Sequence, residues 1–147
     1  MIETLKIIQP YIFKLFVGLY FILYYFQLKT EGFDNFFQLK CQILQIIHNI
    51  YHLYLMAGPF ICPTKQYASI HLIVVIITYL SWKLNPIEKY KDRCMMTILF
   101  NKLCGLPEKK GYKDTFWLFG IKNSKNTYAV LFLCIAILDL YIIFKKK

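Results

Sequence analysis

Apolar positions gather into four stretches along the chain, at about 8–28, 41–62, 66–82 and 126–144, separated by segments that hold nearly all the charge. From Ile7 to Leu28 the only charge is Lys14, and Asn126 to Phe144 carries only Asp139. Cys41 to Thr64 and Gln66 to Trp82 carry none. About 20 helical residues rising 1.5 Å each cross a hydrocarbon layer of roughly 30 Å, so each stretch approaches one spanning length. The pattern predicts an all-α integral membrane protein with three or four transmembrane helices and one membrane domain over residues 1–147. A basic, partly amphipathic loop at 83–125 separates the last two helices.

The second stretch is the most polar, and its polar residues are ordered. Gln38, Gln42, Gln45, Asn49 and His52 follow one another at intervals of four, three, four and three residues, one stripe of a helix. Such a stripe is costly against lipid and predicts a spanning helix that packs its polar side on other helices, in preference to one lying flat at the interface. Gly58, Pro59 and Pro63 are expected to end it.

Composition sharpens the solvent argument. The 147 residues are 58% hydrophobic and 18% charged, where an average soluble chain is nearer 45–50% and 25% with glycine counted as apolar. Too few charges are present to cover a water-facing globule of this size. Tyr11, Tyr67, Trp82 with Lys83, and Tyr141 ahead of Lys145, Lys146 and Lys147 stand near the stretch ends, where interfacial anchors are expected. Glu3 with Lys6 makes a poor signal-peptide start and no small-residue cleavage pattern follows, so the first stretch reads as a retained span.

The net charge of +10 comes from 17 lysines and one arginine, Arg93, against eight acids. Ten basic residues lie between Lys83 and Lys125, facing Glu88, Asp92, Glu108 and Asp114, which by the positive-inside rule predicts a cytoplasmic loop. Attraction to anionic headgroups accounts for this charge without specific nucleic-acid binding, because no RNA-reading aromatic motif accompanies it. Within the loop, Cys94 to Cys104 suggests an amphipathic helix stopped by Gly105 and Pro107, and Thr115 to Gly120 a short aromatic segment, resting on the membrane surface or against a partner; a folded cap on the bundle is the preferred reading of the two, with a dedicated partner-binding surface as the alternative.

Candidate chemistry is sparse. His48 and His52 are four residues apart and His71 lies in the next stretch, but neither stretch supplies an acid to complete a metal site, so the expectation is hydrogen-bonded histidines with no metal and no cofactor. Asp139, near the end of the last stretch, reads as paired with Lys14, a histidine or the headgroups, with a proton or ion path as the sharper alternative. Cysteines 41, 62, 94, 104 and 134 form no zinc motif. Ten helical steps hold Cys94 about 15 Å from Cys104, and free thiols are expected. No nucleophile elbow or phosphate loop is present, so no catalytic residue and no enzyme activity is expected.

Ser81-Trp82-Lys83-Leu84-Asn85, Cys94-Met95-Met96-Thr97 and Asn101-Lys102-Leu103-Cys104-Gly105-Leu106-Pro107 resemble a pattern in small multi-pass membrane proteins of large DNA viruses, where a span ends in Trp and is followed by an Asn and a Cys-x-x-Thr segment. The resemblance covers roughly 30 residues, with charged residues inserted between Asn85 and Cys94. It implies a virion internal-membrane or capsid-associated component and carries over no catalytic residue. The expected function is a non-catalytic structural membrane subunit whose partners are the bilayer and neighbouring proteins of a larger assembly. An accessory subunit of a mitochondrial respiratory or ATP synthase complex is the first alternative. An ion or small-molecule conduit lined by Gln42, Gln45, Asn49 and His52 is the second.

Overall fold

The computed structural model describes residues 2–32, 38–61, 64–85, 94–107, 120 and 125–145. These form five α-helices and, among the described residues, no strand: α1 Ile2–Glu31, α2 Leu39–Ile61, α3 Lys65–Lys83, α4 Met95–Leu103 and α5 Lys125–Phe144. Two segments, Gln9–Glu31 in α1 and Thr127–Phe144 in α5, are long and apolar enough to cross a membrane. The polar side chains that break the apolar runs of α2 and α3, from Gln42 to His52 and at His71, keep those helices below that mark.

The long helices alternate in direction. On α1 and α2 the contacts run in reverse order: Gln9 donates to the Ile61 carbonyl, Tyr20 meets His52, and Gln27 meets Asn49. Tyr51 meets Thr78 while Tyr54 meets Tyr67, which sets α3 antiparallel to α2. Trp82 packs on Tyr128, and His71 pairs with Asp139, which reverses α5 against α3. The ends Glu31, Leu39, Lys83 and Lys125 therefore share one end of the bundle. Ile2, Ile61, Lys65 and Phe144 share the other.

Local sequence explains most boundaries. Thr64 has extended backbone angles and its hydroxyl accepts from the Tyr67 amide at 3.3 Å, an N-cap that starts α3. Helix α2 runs through Gly58 and Pro59 to Ile61, beyond its expected stop. So close to the helix end, a proline ring disturbs only one turn. At 30 residues α1 exceeds the 8–28 stretch and spans about 45 Å. A small apolar core of Leu55, Val75, Phe132 and Ile135 joins α2, α3 and α5, with the Trp82 ring edge-on to Tyr128 and Phe132.

Helix α4 packs onto the bundle, as the folded-cap reading expects, and does not lie apart from it on a surface. It buries Phe100 and Asn101 and packs on the first turns of α2. Its C-cap Cys104 is disulfide-bonded to Cys41, with Cα atoms 5.7 Å apart, and its N-cap Cys94 has its sulfur 3.8 Å from His48 Nε2. The two anchors fix α4 antiparallel to α2. Free thiols at Cys41 and Cys104 are thus corrected: the spacing that bars Cys94 from Cys104 leaves Cys104 facing a cysteine 63 residues away in sequence. Cys94 and Cys134 are free thiols, and Cys62 lies outside the described residues, as do 115–119 of the aromatic segment. Reduction is expected to lower stability by about 2 kcal/mol, the low end of the usual disulfide range, because helices within the closed loop already restrict it. Unfolding in detergent with and without a thiol reductant measures this.

Candidate functional site

The four long helices turn their polar side chains toward one another. Gln27 on α1, Gln45, His48, Asn49 and His52 on α2, His71 and Thr78 on α3, and Asp139 on α5 are all buried. The opposite faces are oily and exposed, with Ile7, Leu15 and Phe21 on α1, Ile47 and Ile50 on α2, Ile73 and Ile77 on α3, and Leu133 and Ile137 on α5. On α2 helical periodicity produces this directly, as a polar stripe whose Asn49 and His52 meet α1, and the other long helices contribute one or two buried polar side chains each.

The polar interior is built in levels. Nearest α4, Cys94 approaches His48, and one residue further along α2 the Asn49 amide donates to Gln27 Oε1 at 2.8 Å, with the reciprocal contact at 3.4 Å. In the middle, the Tyr20 hydroxyl and His52 Nδ1 lie 2.5 Å apart, and the Tyr51 and Thr78 hydroxyls are equally close. Thr78 also donates back to the Val74 carbonyl at 2.7 Å, so each hydroxyl of that level is engaged. Of the predicted stripe, Gln45, Asn49 and His52 are buried and Gln42 is half-buried near the α4 end.

The deepest level is a His–Asp pair. His71 and Asp139 are both fully buried, with His71 Nδ1 2.7 Å from Asp139 Oδ2 and His71 Nε2 3.1 Å from the Tyr54 carbonyl. Of the partners considered for Asp139, the histidine is the one it meets. The ring is held by Tyr54, edge-on at 5.0 Å between centroids, and by Tyr67, nearly parallel at 6.3 Å. Gly58 makes room for it: a Cβ there would lie 2.1 Å from His71 Nε2. Asp139 Oδ1 is buried without a hydrogen-bond partner among the described residues.

Both ring nitrogens of His71 face acceptors, and an acceptor can be approached only by a nitrogen or oxygen bearing hydrogen. The pair must therefore hold one proton beyond neutral histidine and carboxylate. An imidazolium beside a carboxylate satisfies this, as does a neutral ring beside a carboxylic acid. Either way the pair is neutral overall, which is what burial favours.

The histidines do not converge. His48 turns to α4, His52 to α1 and His71 to α5, and among the described residues no three His, Cys, Asp or Glu side chains gather as a metal site would require. A cavity of about 270 Å³ between α1 and α2 is lined by Val17, Tyr20, Phe21, Tyr24, Ile46, Asn49, Ile50 and Leu53, and its walls are apolar. The proposed anchors divide. Trp82 is half-buried between α3 and α5, Lys83 and Lys145 place their amines over Tyr79 and Tyr141, and Lys146 and Lys147 lie outside the described residues.

Tyr20 and Gln27 escape sequence reasoning. Gln27 sits near the end of an apolar run, 18 residues from the other amide in it, Gln9, so that no close spacing marks a stripe, and Tyr20 is one of several tyrosines that could equally face lipid. Asn49→Leu is expected to cost about 1–3 kcal/mol by stripping two hydrogen bonds from the Gln27 amide. The double change Gln27→Leu with Asn49→Leu should recover part of that loss, as read by unfolding in detergent. Comparison of the chain with known protein families, with curated proteins and with solved structures returns no match.

Proposed function

We propose that the chain is a four-span helical membrane protein serving as a non-catalytic structural subunit of a larger assembly, in the setting its sequence resemblance implies: the internal membrane and capsid-associated layer of a virion. One observation carries the membrane part of this reading. Polar side chains face inward in mutual hydrogen bonds, and isoleucine, leucine and phenylalanine face outward on all four long helices. In water such a surface would expose far more contiguous apolar area than the few hundred Å² usual for a soluble monomer. In lipid the outward faces are at no disadvantage, and interior polar groups hold helices together. By this account α2 and α3 also cross, because their polar residues are turned away from the acyl chains.

The structural role rests on how the interior is filled. Tyr20, Gln27, Asn49, His52, Thr78 and His71 spend their polar atoms on one another or on backbone, the behaviour of packing groups. The cavity between α1 and α2 is apolar and faces outward, which suits an acyl chain better than a permeating ion. Alkaline carbonate tests the anchoring: the chain is expected to stay in the membrane pellet, and release to the supernatant would defeat it. Gentle solubilisation then tests the assembly. Co-sedimentation with virus particles supports the virion subunit, whereas co-migration with respiratory or ATP synthase complexes would transfer the same role to the mitochondrial membrane.

A further inference from the structure

We propose that the α4 end of the bundle faces an oxidising compartment, where the chain is a dithiol substrate of a protein disulfide donor, and that the basic connection between α3 and α5 therefore lies on the side away from the cytosol. The inference rests on the membrane reading above and reverses the orientation that the lysine count alone suggests. Its first support is the Cys41–Cys104 bond, which joins α2 to α4 across 63 residues of sequence. Bonds of this kind persist in oxidising spaces and are reduced by the thiol pools of the cytosol.

The second support is selectivity among the cysteines. Cys94 stands at the other end of α4, about 15 Å from Cys104 by helical rise, and its sulfur lies against His48 instead. Cys134 is on α5 and exposed. Among the described cysteines, docking α4 on α2 thus brings one pair of thiols into bonding range, with Phe100 packed beside Cys41 to hold the alignment. The exchange is balanced with one co-reactant. The thiols of Cys41 and Cys104 lose two electrons and two protons as the sulfur–sulfur bond forms, and the donor's disulfide takes both and leaves as two thiols.

Against this stands the positive-inside rule, and its vote is divided. Counted along the sequence, Lys29, Lys40 and the ten of the connection make twelve basic residues in and beside the segments that follow α1 and α3, against six at Lys6, Lys14, Lys65 and Lys145 to Lys147. A two-to-one excess is a bias acting during insertion, which the rest of the chain can override. A disulfide, by contrast, has to be formed and kept on the face where it stands.

Two measurements on membranes from cells making the full chain decide the matter. Acid quenching, maleimide blocking and non-reducing digestion should recover the Cys41 and Cys104 peptides linked, with Cys94 and Cys134 blocked. In a Cys104→Ser variant Cys41 should become blocked as well. Sealed vesicles with the cytoplasmic face outward should then keep the connection between Lys83 and Lys125 intact against trypsin until detergent is added. Blocking of both Cys41 and Cys104 without reduction overturns the proposal, as does cleavage of the connection in sealed vesicles. Carbonate extraction separates the two readings: a chain that stays in the pellet with both thiols blocked refutes this inference alone, and one that washes off with its disulfide intact refutes the membrane reading and the side assigned here with it, leaving only the disulfide exchange.

Discussion

Asp139→Ala is expected to destabilise the detergent-solubilised chain by about 3 kcal/mol, the cost of removing one member of a fully buried, hydrogen-bonded His–Asp pair. Both partners are fully buried, so water cannot replace what is lost. Without Asp139 the Nδ1 face of His71 looks into an apolar space, while Nε2 still needs its hydrogen to donate to the Tyr54 carbonyl. The ring then keeps its one hydrogen on Nε2, and Nδ1 is left as a buried acceptor without a donor. His71→Ala should cost a similar amount by leaving the Asp139 carboxyl without its partner at Oδ2. The double replacement His71→Leu with Asp139→Leu should be far milder than the sum of the single changes, because apolar groups of similar size leave no buried polar atom behind. Denaturant unfolding followed by far-ultraviolet circular dichroism measures all three variants. Single losses below about 1 kcal/mol would show that the pair is not what locks α5 to α3.

How much of this was legible beforehand depends on whether the signal was periodic. The stripe from Gln42 to His52 has the period of a helix, and that period alone places Gln45, Asn49 and His52 on one face, of which Asn49 and His52 meet α1. Four long helices follow from four apolar stretches. The partners of the stripe are a different matter, since Tyr20 and Gln27 become distinctive only when α1 is laid antiparallel against α2. The disulfide is hidden for the same reason: spacing within α4 correctly separates Cys94 from Cys104, but no local rule points from Cys104 back to Cys41. Trp82 shows the opposite failure. Its position at the end of an apolar run marks it as an interfacial ring, and its edge-on contacts with Tyr128 and Phe132 make it a packing residue between α3 and α5 as well.

Gly58→Ala is expected to be nearly as harmful as Asp139→Ala, although it adds only one methyl group. In a helix interior the change should help, since alanine is favoured over glycine by roughly 0.5–1 kcal/mol. Here the added Cβ would sit 2.1 Å from His71 Nε2 and 2.2 Å from Cδ2, so the imidazole has to leave its place. It has little freedom to do so. Tyr54 and Tyr67 hold the ring, and its two nitrogens are committed to the Tyr54 carbonyl and to Asp139. Moving the ring strains or breaks both hydrogen bonds, and the expected net loss is about 3 kcal/mol, within the range for breaking a buried pair. A second background makes the cause identifiable. With His71→Ala already in place the three atoms nearest the added methyl are gone, and Gly58→Ala should lose most of its cost. The size of the effect in the two backgrounds, read from the same detergent unfolding curves, is therefore the test. An equal loss in both would mean that α2 resists the methyl group through its own backbone, and the close approach of His71 to Gly58 would not be the reason for glycine there.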